Sequence, residues 1–324
     1  MIFTTLNLIR GTFVALAALL AMAASAQNFP NRPLKVIVAY SAGTGSDIVA
    51  RIIAPPLSER IKQPVLIENR VGAGGIVGTQ TIKQSAPDGY TIGVIVSGNA
   101  IQPFLVKDMP FDIRKDFVPL TLMYSGPLVM TVPLSVPAKT LGEFITWAKA
   151  NPGKVFFGSV GTGTTSHMGG EMLKQLTGID MTVVPFKGTP EVYAAMFTGD
   201  IHMLFDNYAT PRAQVEAGRL RVLAVASAKR WPTLPNAPTV AETFPGFEVR
   251  FWTGFVAPAG TPKDITDKLA ADITAVMNTP EVHKRIADTS VEPGGGTPAE
   301  FAQLIASDTE KWSKVVQKAG MKMQ

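Results

Sequence analysis

The 324-residue chain has no cysteine, and that absence removes several chemistries at once. A disulfide scaffold, a thiolate zinc or iron–sulfur site and a cysteine nucleophile are excluded. Histidine is scarce, occurring only at His167, His202 and His283. No two of these lie at i,i+4 and no H-E-x-x-H stretch is present, so a hydrolytic metal centre has no ligand set. Charge is thin as well: Asp, Glu, Lys and Arg make up 17% of residues, with no run of five like charges. A nucleic-acid partner therefore has little support. No apolar run reaches the length of about 18 residues at which a membrane-spanning helix is read.

What is present is ordinary globular composition, 46% hydrophobic with 29 Gly and 25 Pro, in a chain long enough for about two domains. Residues 1–26 read as an export signal. Arg10 precedes the apolar run Gly11–Ala23, and Ala24-Ser25-Ala26 forms a small-residue cleavage site, with cleavage expected after Ala26. An uncleaved anchor is the alternative. With no cysteine at the cleavage point a lipoprotein is excluded, so the expected location is the periplasm. Loss of Arg10 lowers the formal charge from +5 to +4, a mild positive field suited to a small anion.

Short β-rich runs alternate with amphipathic helices, which predicts an α/β fold with largely parallel sheets. Lys35–Tyr40 reads as a buried strand, Ser41–Ser46 as a loop, and a helix follows from about Asp47. Its apolar positions are Ile48 and Ile52, and Val49, Ile53, Leu57 and Ile61, while Pro55 and Pro56 are expected to kink it or end its first half. Further strands are expected at Val65–Glu68, Thr91–Val96, Val155–Phe157, Ile201–Phe205 and Val222–Ala226. Capping boxes stand at Thr140–Glu143 and Thr297–Glu300, and Thr261-Pro262 reads as N-cap plus first helical residue. Gly294–Gly296 reads as a spacer between helices.

Two loops carry the functional signal. Ser41-Ala-Gly-Thr-Gly-Ser46 and Ser159-Val-Gly-Thr-Gly-Thr-Thr-Ser166 share glycines and hydroxyls, and both lead from a strand into a helix. A helix N-terminus leaves its first N–H groups unpaired and partially positive, so such a loop can receive an anion. Two of them in different halves of the chain could face each other across a cleft. On composition alone, plain turns capped by their own hydroxyls explain them equally well. His167 could serve as base to a nearby serine, although no G-x-S-x-G elbow is present. Asp47 and Asp206 each follow a strand as caps or ligand-orienting groups, whereas Phe205, Tyr208, Phe251 and Trp252 suit a core. Gly72–Gly78 superficially resembles a dinucleotide fingerprint but does not follow the first strand, and no cofactor is expected.

An ordered series of short pieces carries a resemblance over nearly the whole mature chain. These are Pro33-Leu-Lys-Val-Ile-Val with Ser41-Ala-Gly and Asp47, Glu68-Asn-Arg with Gly72-Ala-Gly-Gly75, and Pro87-Asp-Gly-Tyr90. Ala148-Lys-Ala-Asn-Pro-Gly-Lys154, Ser159-x-Gly-x-Gly163 with His167, and Phe205-Asp-Asn207 follow. Leu220–Val225, Trp252-x-Gly254 and Ala257-Pro-Ala-Gly-Thr-Pro262 complete the set. The sequence resembles the extracytoplasmic solute-binding proteins of the tripartite tricarboxylate transporter family, the Bug receptors. The resemblance implies a two-domain periplasmic solute-binding (Venus-flytrap) fold with two interdomain crossovers, at Pro127–Thr131 and Arg250–Val256. Domain one would comprise 27–126 plus 257–324, and domain two 127–256.

The resemblance further implies capture of a small di-, tri- or aromatic carboxylate, handed to an integral membrane permease, by a monomer without catalysis. Carried over by position, the ligand set is Ser41, Thr44, Gly45 and Asp47 on one side. Opposite them stand Ser159, Gly161, Thr162, Gly163, Thr164 and His167, flanked by Asp206, Asn207 and Tyr208. Ser97 and Asn99, past the strand at 91–96, complete it. Thr44 stands where the family usually has glycine, Val71 replaces a proline, Pro56 is added, and Tyr208–Arg212 departs from the common version. Thr44 and Tyr208 are therefore the candidates for setting ligand identity. The competing readings are a secreted serine hydrolase using His167 and a sensor subunit that presents its ligand to a signalling receptor.

Overall fold

The computed structural model describes residues 29–186, 188–318 and 320–321. The expected leader and its cleavage point lie outside these residues. In chain order the first part runs β1 (Leu34–Val38), α1 (Gly45–Ile61), β2 (Val65–Asn69), α2 (Ile76–Lys83), β3 (Thr91–Val96) and the short α3 (Gly98–Ile101). The long β4 (Phe117–Pro133) leads into α4 (Leu141–Ala150), β5 (Val155–Ser159), α5 (Thr165–Thr177), β6 (Met181–Pro185) and α6 (Thr189–Thr198). Then come β7 (Met203–Asn207), α7 (Arg212–Glu216), β8 (Leu220–Val225) and α8 (Val240–Thr243). The chain returns through β9 (Arg250–Pro258) to α9 (Lys263–Met277), α10 (Pro280–Ala287), β10 (Glu292–Gly295) and α11 (Pro298–Lys318).

The strands form one curled sheet in the order β2-β1-β3-β9-β4-β7-β5-β6, with β10 and β8 also paired to β4. Pairing is parallel where helical crossovers link the strands, in β2-β1-β3 and in β6-β5-β7. The expectation of largely parallel sheets fails in the middle. There β9 pairs antiparallel with β3 and β4, and β4 pairs antiparallel with β7, β8 and β10. No helical crossover joins these central strands to their neighbours, so nothing forces them parallel. β4 holds β9 from Phe117 to Pro127, then takes β7 from Leu128 and β8 from Val129. Register shifts along β4 bend it as it passes from one half of the sheet to the other.

Local readings fail where tertiary packing overrides them. α1 runs unbroken through Pro55 and Pro56. Its buried face of Val49, Ile53, Leu57 and Ile61 packs in a core with Leu269, Ile273 and Val276 of α9, which offsets the two missing N–H donors. Ile48 is 42% exposed, so that stripe is only half buried. Gly294 is no spacer: β10 pairs with β4, and a Cβ at Gly294 would stand 2.4 Å from the Leu122 carbonyl oxygen. The Thr297–Glu300 box closes in both directions. At Thr140 only half forms, because Glu143 accepts from the Lys139 N–H instead. Pro262, rather than Thr261, is the N-cap of α9.

One core lies under β1, α1, β3 and α9, and another contains Leu128, Phe144, Phe157, Met168 and Phe205. The second is completed from elsewhere in the chain, by Ile101 and Leu105 before β4 and by Trp312 and Val316 of α11. The other end of α11 places Phe301 and Ile305 against Trp252 in a cluster of the first half. That single helix is therefore packed into both.

Candidate functional site

The two glycine-hydroxyl loops leave the carboxyl ends of β1 and β5, the edge at which open α/β sheets bind ligands. They share one hydrogen-bonding plan. In each, a glycine at positive φ donates its N–H to the side chain four residues on, at the third position of the following helix. Gly43 (φ 83°) donates to Asp47 Oδ2 at 2.9 Å, and Gly163 (φ 74°) donates to His167 Nδ1 at 3.3 Å. Thr44 and Thr164 are the N-caps, and Ser46 and Ser166 occupy the second helical position.

In the first loop the side chains of Thr44, Ser46 and Asp47 are paired within the protein. Asp47 is buried and accepts from Arg51 Nε at 2.9 and 3.0 Å and from Asn69 Nδ2 at 2.9 Å, besides Gly43. Burial pushes its carboxyl up, but the bonds from Arg51, Gly43 and Asn69 outweigh it and hold the group below its ordinary range. Both carboxylate oxygens thus carry bonds within the protein, which tie the first loop to Arg51 and Asn69. Thr44 Oγ1 donates back to the Ser41 carbonyl at 2.8 Å and makes no side-chain cap to α1. Ser46 Oγ meets the Tyr124 hydroxyl at 3.4 Å.

The second loop is built from neutral groups. Ser159 Oγ donates to the Gly161 carbonyl at 2.8 Å and accepts the Gly161 N–H at 3.1 Å. Thr164 Oγ1 donates to the same carbonyl at 2.9 Å and accepts the His167 N–H at 3.3 Å. Burial pushes His167 below its usual pKa, so the ring is neutral at pH 7, with Nδ1 as acceptor and Nε2 carrying the proton. The first turn of α5 holds no acidic residue. Ser166 Oγ is buried with no hydrogen-bond partner. Neither Ser159 nor Ser166 is bonded to the imidazole, so the serine–histidine pair of a hydrolase is not assembled.

The first loop meets the central strands, and the second meets the segment that follows β3. Ser46 touches Tyr124 of β4, whose register partner is Thr253 of β9. The adjacent Trp252 carbonyl accepts the Ser97 N–H at 2.9 Å. Next to Ser97, a Cβ on Gly98 would stand 3.7 Å from the Gly163 carbonyl oxygen, and one on Gly163 would stand 3.5 Å from Gln102 Cγ. Asn99 is a bracket: its Oδ1 accepts the Val96 N–H and its Nδ2 donates to Thr79 and Gln102. Gln102 Nε2 and the Tyr40 hydroxyl both donate to the Gly74 carbonyl, fixing the 72–75 turn.

At the end of β7, Asp206 Oδ1 accepts the Asn207 N–H at 2.8 Å and Oδ2 accepts the Tyr193 hydroxyl at 3.3 Å. Burial pushes this carboxyl up to about 7. Asn207 Oδ1 is buried and unpartnered, like Ser166 Oγ. Tyr208 packs its ring in a cluster with Val129, Val225 and Trp231. Ser166, Tyr124 and Gln102 were missed in the sequence. Only Ser166 carried a local sign, a serine in the first helical turn beside the glycine loop.

The model of the tripartite tricarboxylate transporter family receptor matches residues 49–321. The chain belongs to that family. Rpa4515 of R. palustris, solved with adipate, is 32% identical with TM-score 0.84, over 91% of this chain and 100% of that one. The periplasmic binding protein BugD is 30% identical with TM-score 0.81, over 91% and 100%. MatC of Rhodopseudomonas palustris, solved with bound malate, is 30% identical with TM-score 0.79, over 89% and 100%. The receptor family accounts for the architecture: an α/β solute-binding fold of the Venus-flytrap type, in which β4 pairs with strands of both halves of the sheet. Among the described residues no helix is long and apolar enough to cross a membrane.

Proposed function

We propose that this receptor is exported to the periplasm and captures a small organic carboxylate between two lobes. It then delivers the carboxylate to the integral permease subunits of a tripartite tricarboxylate transporter. The lobes are residues 27–126 with 257–324, and residues 127–256, with the exchange of β4 partners at Leu128 and the strand β9 as hinges. The observation that carries the reading is the pair of matching loops at the carboxyl ends of β1 and β5 in a chain of this family. Relatives solved with adipate and with malate support a carboxylate as the ligand.

Recognition is by neutral donors: amides and hydroxyls of Ser41, Gly45, Thr162 and Ser166, with Asn207 beside them. Asp47, Ser159, Thr164 and His167 hold the loops in shape. Hydrogen bonds to a charged group contribute about 1.5–3 kcal/mol each. Three or four of them, less ordering costs, fit micromolar binding near about −8 kcal/mol.

The test is a thermal-shift screen of the mature chain against malate, adipate, citrate, benzoate and amino acids. A binding carboxylate raises Tm with concentration, by about 2.7 kcal/mol of stabilisation at a hundred times Kd, and is recovered unchanged. No shift with any carboxylate, together with ester turnover lost in His167→Ala, would replace this reading with the hydrolase.

A further inference from the structure

Away from the two loops, α11 buries a carboxylate, Asp308, beside two indoles. Trp252 Nε1 of β9 donates to Asp308 Oδ2 at 2.7 Å. Trp312 stands one turn beyond Asp308 on the same face of α11. Its N–H acts on the same carboxyl, yet Trp312 Nε1 is buried without a hydrogen-bond partner. Burial pushes Asp308 up, against the opposing pull of the Trp252 bond, the Lys311 charge and the Trp312 indole.

The two indoles belong to different interiors. Trp252 lies in the cluster of Ile37, Ile82 and Ile95, with its ring edge-on to Phe301 at 5.5 Å. Trp312 lies in the core that contains Leu128, Phe157 and Phe205. Asp308 falls between Ile305, the last α11 residue in the first cluster, and Trp312, the first in the second core. Movement of one interior against the other therefore changes the distances from this carboxylate to the two rings.

There is room for that change. A cavity of about 280 Å³ opens beside Asp308, walled also by Ser125 of β4, by Arg250 and Trp252 of β9 and by Lys311. These are the stretches of β4 and β9 assigned above as hinges. The cations at its edge are tethered: Lys311 Nζ donates to the Glu248 carbonyl at 2.7 Å, and Arg250 pairs with Glu292. A buried donor without an acceptor is costly, and an arrangement that pairs it recovers the cost. Packed interiors resist gradual deformation, so such an exchange runs between two discrete arrangements.

Resting on the receptor reading, we propose that Asp308 is a hinge switch that trades indoles as the lobes move. In the present arrangement it holds Trp252, and in the other arrangement it holds Trp312. Ligand-driven movement of the lobes is thereby coupled, through α11, to the fit of both interiors.

The experiment follows the indole N–H signals of the 15N-labelled mature chain by NMR. Trp252 is assigned through its contact with Phe301 and Trp312 through Lys311. Spectra are recorded free and saturated with malate, adipate, citrate or benzoate, whichever raises Tm. The Trp252 and Trp312 proton shifts are expected to move in opposite senses, one N–H losing the ionic acceptor and the other gaining it. Each bond favours one arrangement, so Trp252→Phe and Trp312→Phe shift Kd in opposite directions, by roughly three- to tenfold each. Asp308→Asn weakens both bonds alike, which shrinks both shift changes and leaves Kd within about twofold. Where a Phe variant fails to fold, the wild-type spectra decide alone. Two indole signals that stay still on saturation, or move in the same sense, overturn the switch and leave the receptor reading intact. Failure of every carboxylate to raise Tm overturns the receptor reading, and the switch with it.

Discussion

The loops after β1 and β5 are near-copies in composition, in backbone turn and in the bond from glycine to the third helical residue. They are opposites in electrostatics. The first has used its helix terminus on an internal carboxylate, neutralised in turn by Arg51 and Asn69. The second keeps an uncharged acceptor there and leaves a hydroxyl unspent. A glycine-rich turn before a helix therefore identifies a place where an anion could sit. Whether the place is free depends on which side chain the protein has already put there.

The comparison is broken most directly at Asp47. Asp47→Ala strands the Gly43 and Asn69 donors and frees Arg51, so the first loop loses its shape. The expected cost is about 2–3 kcal/mol, seen as a lower midpoint in urea unfolding with an unchanged slope.

The second side has its own carboxyl in Asp206, and its behaviour is the opposite of that of Asp47. Burial raises it from 3.8 to about 7, so between those values the folded state holds a proton that the unfolded chain has released. Stability therefore falls as pH rises from about 4 to about 7 and is level above. Asp206→Asn flattens that limb, which a series of urea midpoints at fixed ionic strength measures. An unaltered slope would show that the side chain ionises freely.

The finest contrast lies in the two threonine caps. Thr164 accepts the His167 N–H, whereas Thr44 makes no side-chain cap to its helix. Thr164→Ala costs about 1 kcal/mol and Thr44→Ala at most a few tenths. Equal losses in thermal unfolding would mean that the caps do not distinguish the loops.

Much of the fold is legible because its causes are local. Thr91–Val96 is a run of β-branched residues after a Pro-Asp-Gly turn and forms the strand it predicts. The Thr297 box opens a helix at the next residue. β10 is illegible because its glycines answer to a neighbour, the Leu122 carbonyl, that is far away in sequence. The persistence of α1 through two prolines likewise depends on α9. In the site, composition located both loops but not their difference. Asp47 is spoken for by Asn69, from another strand, and the lack of a partner at Ser166 has no local sign either.

The double anchoring of α11 has a consequence for how the molecule comes into being. Trp312 and Val316 fill an interior whose other walls are made by Ile101 and Leu105 and by residues between Leu128 and Val249. A polypeptide emerging N-terminus first, from a ribosome or an export channel, cannot seal that interior until α11 is out. The middle of the chain must therefore wait with greasy surface showing. A stop codon ahead of Trp312 would harm the segment made long before it.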